Sequence, residues 1–263
     1  MGMKINAIKK KPVYYYSKIT PRGKILKIKL DNGLQFFFRA QTMDRTVLKE
    51  VFTKEAYYKE GFEIKESDTV IDIGGHIGVM AIYAASLAKK GRVIVLEPFL
   101  DNYELLQSNV KLNGINNIIA ENKAIGKEDG SFRFYIRPGK LKKGEVAYNS
   151  GGHSFHLIKD SESFVDVPTL SFDSLVNQFK LDKIDFLKLD CEGAEFDILY
   201  NASEESIAKI SKIAMECHPF ENNTMEGMMN FLQQHGFECT AEKDRKYDLY
   251  MIYAMRQNEG AKN

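Results

Sequence analysis

The sequence predicts an α/β fold: a mostly parallel sheet with helices between its strands, preceded by a β-hairpin and a helix. Three observations carry this. Apolar runs of strand length alternate with runs of helical spacing through most of the 263 residues. The run Val70-Ile71-Asp72-Ile73 enters the turn Gly74-Gly75-His76-Ile77-Gly78 and passes straight into a helical pattern. Near the start, Asp31-Asn32-Gly33 separates two short runs rich in apolar residues.

Ile25 to Leu30 alternates apolar with basic residues, and Leu34 to Arg39 follows a turn whose Asn and Gly tolerate positive φ, so the pair predicts a hairpin. Val47, Leu48, Val51, Phe52 and Ala56 recur at helical spacing behind Asp44, which is placed to cap a helix over 44–58. The alternation then predicts strand 69–73, helix 78–89, strand 92–97, helix 100–113 and strand 117–122. Such strands run parallel and are joined by right-handed crossovers.

Between Gly126 and Thr169 the rhythm breaks, with short strands expected at 131–136 and 163–169 around a long loop containing His153 and His156. That loop reads equally as a lid over a substrate and as an ordinary polar surface. Helix 171–179, strand 184–190, helix 194–201, strand 210–217 and helix 223–235 follow. Strands 237–241 and 247–254, parted only by a turn, predict an antiparallel hairpin.

The length suits one well-buried α/β domain with an N-terminal addition and is too short for two catalytic domains. No apolar run approaches the roughly 20 residues of a membrane span, and the first thirty residues lack the apolar core of a signal peptide. Cys191, Cys217 and Cys239 form an odd set without metal-type spacing, which points to a reducing, cytoplasmic setting. The net charge of +1 hides an asymmetry: residues 1–30 hold nine Lys or Arg and no acid, leaving −8 on the rest. Such an arm, with Tyr14-Tyr15-Tyr16 beside its lysines, could meet RNA, although a solvated strand edge accounts for it as well.

A glycine turn between strand and helix is a cofactor cradle, because glycine accepts positive φ and the helix aims its free N–H groups at the ligand. Nineteen residues past Gly78, Glu97 closes the next strand, where a carboxylate can accept from ribose hydroxyls. A nicotinamide fingerprint would put its first glycine on Ile73, a β-branched residue at the tightest point of the turn. The register D-x-G-x-x-x-G, starting at Asp72, instead resembles motif I of class I S-adenosylmethionine methyltransferases, with His76 where that class commonly has glycine.

The resemblance extends to one family. Asp190-Cys191-Glu192-Gly193-Ala194-Glu195 at the end of a strand resembles the D-x-E-G-A-E motif of FkbM methyltransferases, and Glu216-Cys217-His218 resembles that family's fifth-strand ending. With Leu96-Glu97-Pro98 and Asn122 to Gly126 in order, the likeness spans roughly residues 45–255 and leaves 1–40 uncovered. It implies a seven-stranded, doubly wound, Rossmann-like sheet, mostly parallel with an antiparallel last strand. Residues 1–60 are then a basic hairpin-and-helix appendage and 61–263 the class I methyltransferase domain.

The resemblance also implies S-adenosylmethionine as cofactor. Gly74, Gly75 and Gly78, with His76 in the turn, would admit its methionine and ribose, Glu97 would hold the ribose, and the backbone at Lys123 and Ala124 would meet the adenine. Asp72 and Asp190 supply negative charge near the amino group and sulfonium. His218 is the first candidate base for a hydroxyl acceptor, and Glu192 the second. A structural histidine before Pro219, and Asp190 as a helix cap, are the plainer readings of two of these. No metal is expected: Asp190, Glu216 and His218 could hold a divalent ion, but no dense ligand cluster surrounds them.

The acceptor expected is a small molecule or saccharide, with no membrane partner. RNA is the alternative, recruited by the basic arm, and a non-catalytic nucleotide-binding module the third reading.

Overall fold

The computed structural model describes residues 11–54, 56–135, 164–244 and 248–257. The loop with His153 and His156, and the first ten residues with their lysines, lie outside them.

The described residues open with a short helix, α1 (Pro12–Tyr16), which the sequence does not announce; proline at its first position is pre-set for a helical turn. Tyr14 is buried and its ring stacks on the Arg45 guanidinium at 4.5 Å, whereas Tyr15 and Tyr16 are exposed. The hairpin follows as β1 (Ile25–Lys29) and β2 (Gln35–Arg39), antiparallel with Ile28 opposite Phe36. Leu30 N–H donates to Leu34 O across the turn, and Gly33 sits at φ +90° as the turn requires.

The helix expected over 44–58 is shorter and changes pitch. It runs as α2 (Asp44–Lys49) and widens into a π-helical turn, Glu50–Lys54. Asp44 is not its cap, because Met43 holds that position without a side-chain bond, and the Asp44 carboxylate turns into the core instead.

The central sheet is built from β3 (Thr69–Ile73), β4 (Arg92–Leu96), β5 (Ile118–Glu121), β9 (Phe186–Leu189), β10 (Lys212–Cys217), β11 (Phe237–Lys243) and β12 (Tyr250–Arg256). Their spatial order is β11-β12-β10-β9-β3-β4-β5. Parallel pairing joins β10-β9-β3-β4-β5, and β12 alone runs antiparallel, slotted between β10 and β11. The expected seven-stranded, doubly wound sheet is therefore present, with its antiparallel last strand. The order reverses between β3 and β9, and the crevice beyond their carboxyl ends is where such sheets bind ligands.

Helices α3 (Val79–Leu87), α4 (Leu100–Leu112), α5 (Phe172–Gln178), α6 (Glu195–Tyr200), α7 (Glu204–Ala208) and α8 (Met225–Gln234) cover the sheet. The segment read as one helix over 194–201 is thus followed by a second, Ser203-capped turn of helix at α7. A separate three-stranded sheet pairs β6 (Ala124–Gly126), β8 (Phe164–Ser171) and β7 (Gly130–Tyr135).

The hairpin does not stand apart from this core. Ile28, Phe36, Phe38, Leu48 and Phe52 share one buried cluster with Ile77, Val79, Val93 and Leu106. The outer edge of β2 is covered by side chains of α4: Asn109 Oδ1 accepts from Phe37 N–H at 2.6 Å and Asn113 Oδ1 from Gln35 N–H at 2.8 Å. Those bonds satisfy backbone groups that would otherwise invite another strand.

Candidate active site

The first strand ends in a buried ion pair. Asp72 is fully buried and its Oδ1 lies 3.0 Å from Lys188 Nζ on the neighbouring strand β9. Lys188 Nζ also donates to Gly74 O at 2.7 Å and lies 3.7 Å from Asp190 Oδ2. Burial opposes the charge on Lys188, but Asp72 and Asp190 overcome it and raise its pKa. The two acids read from the sequence as facing a cofactor are therefore bridged by a lysine that the sequence reading passed over. Asp190 caps no helix; its Oδ2 accepts from the Tyr57 hydroxyl at 2.9 Å.

The turn that follows is shaped by protein contacts. Gly74 adopts φ +83° with its missing Cβ position 1.9 Å from Asp190 O, and the corresponding point on Gly75 falls 2.2 Å from Val95 Cγ2. Gly78, at φ +82°, packs its Cα face against Leu106 of α4. Gly74 is required by close backbone packing and Gly75 and Gly78 by the side chains of Val95 and Leu106, and a ligand would meet their peptide groups. His76 takes φ +50°, a left-handed conformation in keeping with a position where glycine is common.

Glu97 is buried and ties the turn to the second strand. Its Oε2 accepts from His76 N–H at 2.8 Å, while Oε1 accepts from Phe99 N–H at 3.0 Å and Asn102 Nδ2 at 3.2 Å. Burial pushes its carboxyl up to about 7, against the pull of those donors. A carboxylate offers about four acceptor positions, so one remains for a ligand hydroxyl. Asn122 Nδ2 donates to Glu97 O and Pro98 O, Lys123 pairs with Glu121 at 3.1 Å, and Ala124 is buried at the start of β6.

At the far side of the crevice His218 stands among carboxylates. Its Nδ1 lies 3.3 Å from Oε1 of the fully buried Glu195, and its Nε2 lies 3.8 Å from both Glu192 Oε2 and Glu216 Oε2. Glu195 is anchored by N–H donors from Cys191 at 2.8 Å and Gly193 at 3.0 Å. Burial works against a charged His218, but Glu195, Glu192 and Asp190 outweigh it and hold its pKa up to about 10. Burial, reinforced by Asp190, also holds Glu216 well above the usual carboxyl range. Ligand atoms of Asp190, Glu216 and His218 lie within 4.8 Å of one another, a set that could span a divalent cation. The sequence reading missed Glu195 as an orienting group, although it is the last acid of the D-x-E-G-A-E run.

The description Methyltransferase FkbM domain matches residues 72–239, more than half of the chain. The protein belongs to the FkbM methyltransferase family. It is an S-adenosylmethionine-dependent methyltransferase. The chain is 25% identical over 252 residues to the AMB antimetabolite synthetase AmbE of Pseudomonas aeruginosa, covering 80% of itself but 11% of that much longer protein. It is 21% identical over 231 residues to the 31-O-demethyl-FK506 methyltransferase FkbM of Streptomyces tacrolimicus, covering 79% and 88% of the two chains. To the hexuronic acid methyltransferase AglP of Haloferax volcanii it is 24% identical over 156 residues, covering 59% and 58%.

The residues present fit the family's cofactor. The turn lies at the switch point, Glu97 keeps an acceptor position, and Nδ1 of the buried His76 makes no hydrogen bond among the described residues. No helix among the described residues is long and apolar enough to cross a membrane.

Proposed function

We propose that this FkbM-family enzyme methylates a hydroxyl of a small molecule or saccharide, with His218 as the base that takes the hydroxyl proton. The observation that carries the reading is the Glu195–His218 pair. A buried carboxylate beside Nδ1 fixes the imidazole and leaves Nε2 directed toward Glu192 and Glu216 at the carboxyl end of β10. The 31-O-demethyl compound and the hexuronic acid in the names of two relatives support an oxygen acceptor.

S-adenosylmethionine would supply, when bound, an electrophilic methyl group whose bond to sulfur breaks as the acceptor oxygen bonds to it, with S-adenosylhomocysteine as the leaving group. The chain's own part is to place that oxygen and remove its proton. Placement alone is worth up to roughly 7–11 kcal/mol, and a positioned base adds on the order of a hundredfold to ten-thousandfold. Glu97 would hold the ribose and the Gly74 to Gly78 turn the adjoining tail. Asp72 and Asp190 would face the cationic end, with Lys188 tempering their charge so that ground and transition states are not stabilised alike.

With its pKa near 10, the resting imidazole is protonated at neutral pH and must lose that proton before Nε2 accepts another. The value of kcat/KM should therefore climb with pH toward about 10, since it reports the free enzyme.

Incubation with methyl-labelled S-adenosylmethionine and fractionated cell extract tests the acceptor. Label is expected in a small-molecule or saccharide fraction, and label in ribonuclease-sensitive material would overturn the reading. His218→Gln should lower kcat on the order of a hundredfold or more while S-adenosylhomocysteine still binds. Activity lost to EDTA and restored by Mg²⁺ would assign Asp190, Glu216 and His218 to a cation instead of a base.

A further inference from the structure

We propose that Arg39, at the end of the N-terminal hairpin and outside the region matched by the family, is a positioning residue that sets the Glu97 carboxylate and the glycine turn for the cofactor. It does so through a closed ring of buried polar contacts. Arg39 Nε donates to Asp44 Oδ2 at 2.9 Å and its Nη2 donates to Asp44 Oδ1 at 3.0 Å, a bidentate pair. Asp44 Oδ1 lies 3.4 Å from His76 Nε2, inside the turn, a close polar contact that makes no hydrogen bond. His76 N–H donates to Glu97 Oε2, and Glu97 Oε1 accepts from Asn102 Nδ2. The ring closes where Arg39 Nη2 also donates to Asn102 Oδ1 at 2.5 Å.

Four of these five residues are less than a tenth exposed, so water offers little competition to any link. The Arg39 guanidinium joins the two arms at the end opposite Glu97, and its planar fork is what lets a single side chain serve Asp44 and Asn102 together. A second bridge runs beside it, since Asn109 Nδ2 donates both to Phe37 O in the hairpin and to Ile77 O in the turn. By linkage, whatever binds the turn must also tighten the hairpin, to the same extent that the hairpin favours binding.

The inference rests on Glu97 holding the cofactor. Titration of S-adenosylhomocysteine into wild type, Arg39→Lys and Glu97→Gln separates the two ideas. A lysine at 39 keeps a charge beside Asp44 but cannot span to Asn102. Its melting temperature should stay within a few degrees of wild type while affinity falls about tenfold. The ligand should also slow amide exchange at Phe37 and Arg39 in wild type, and less so in the variant. Phe36→Leu, in the same hairpin but off the ring, should cost stability without that loss of affinity; an equal loss would show that hairpin stability alone matters and would overturn the proposal. Asn102→Ser cuts the other arm and makes the same comparison should the lysine variant fail to fold. Unchanged affinity in Arg39→Lys with reduced affinity in Glu97→Gln sinks the positioning role alone, whereas unchanged affinity in Glu97→Gln removes the reading of Glu97 beneath it.

Discussion

Lys188 is the cation on which the first-strand motif rests, and it illustrates what a single residue can do between two acids. It is almost fully buried beside Asp72, and the pair is intelligible only as a unit. Removing one partner from a buried pair leaves the other charged and unsolvated, a loss of about 3–5 kcal/mol, whereas replacing both with apolar groups of similar volume is often nearly neutral. Lys188→Met should therefore destabilise by that amount in urea denaturation, and Asp72→Leu added to it should recover much of the loss. A second substitution that deepens the damage would mean the two residues act independently. The pair escaped the sequence reading because its members are 116 positions apart. Still, a lysine inside Phe186-Leu187-Lys188-Leu189, two residues before Asp190 and so on the same strand face, carried a visible signal. Asp44 misled for a related reason. An acid at a helix start commonly caps it, and only the folded chain shows Arg39 turning the carboxylate inward.

Among the elements, the glycine turn separates two costs that sequence alone confounds. Gly74 needs a left-handed backbone and also has no room for a Cβ, while Gly114, after α4, has φ +61° and nothing within 4 Å. Gly114→Ala should cost about 1 kcal/mol, the conformational part alone, and Gly74→Ala clearly more because Asp190 O must move. Equal losses for the two in denaturation would show that the turn relaxes freely. The strands and helices from 69 to 121 were legible because burial on both sheet faces writes short continuous apolar runs, parted by the glycine turn and by the polar-faced helix α4. Three features were not. Helix α1 is five residues of proline, valine and tyrosine, too short for any period to show. The π-helical turn after α2 keeps the same apolar spacing as an α-helix would. In the small sheet, β7 and β8 stand where strands 131–136 and 163–169 were expected, but β6 is three residues long and joins them by pairing with β8 across some forty-five positions. Of the site, the turn, Glu97, Asp190 and the Glu216–His218 strand end were readable as motifs, whereas Glu195, Tyr57 and Lys188 gain meaning only from their partners.

For the whole molecule, the buried groups set how stability depends on pH. His218 is raised from 6.5 to about 10, so its contribution is complete below pH 6.5 and is lost as pH rises through 10. Glu216, raised well above 4.5, acts in the same direction. His76 is depressed to about 4, chiefly by burial, so its contribution holds above pH 6.5 and falls away as pH drops toward 4. Glu97, raised to about 7, counteracts this between 4.5 and 7. The melting temperature should therefore decline gently from pH 4.5 to 6.5, where His76 offsets Glu97 but not Glu216, and more steeply from there toward pH 10. His218→Gln should flatten that alkaline decline; an unaltered slope would locate its origin elsewhere.

The placement of β12 has a consequence for how the enzyme is made. Strand β10, which leads into His218, has β9 on one side and β12 on the other, and β11 reaches the sheet only through β12. During synthesis on the ribosome, β10 therefore emerges with an open flank and keeps it until residues 250–256 arrive. A nascent chain stalled before that point presents unpaired backbone along its prospective catalytic strand, a template for clumping until the late strand slides home.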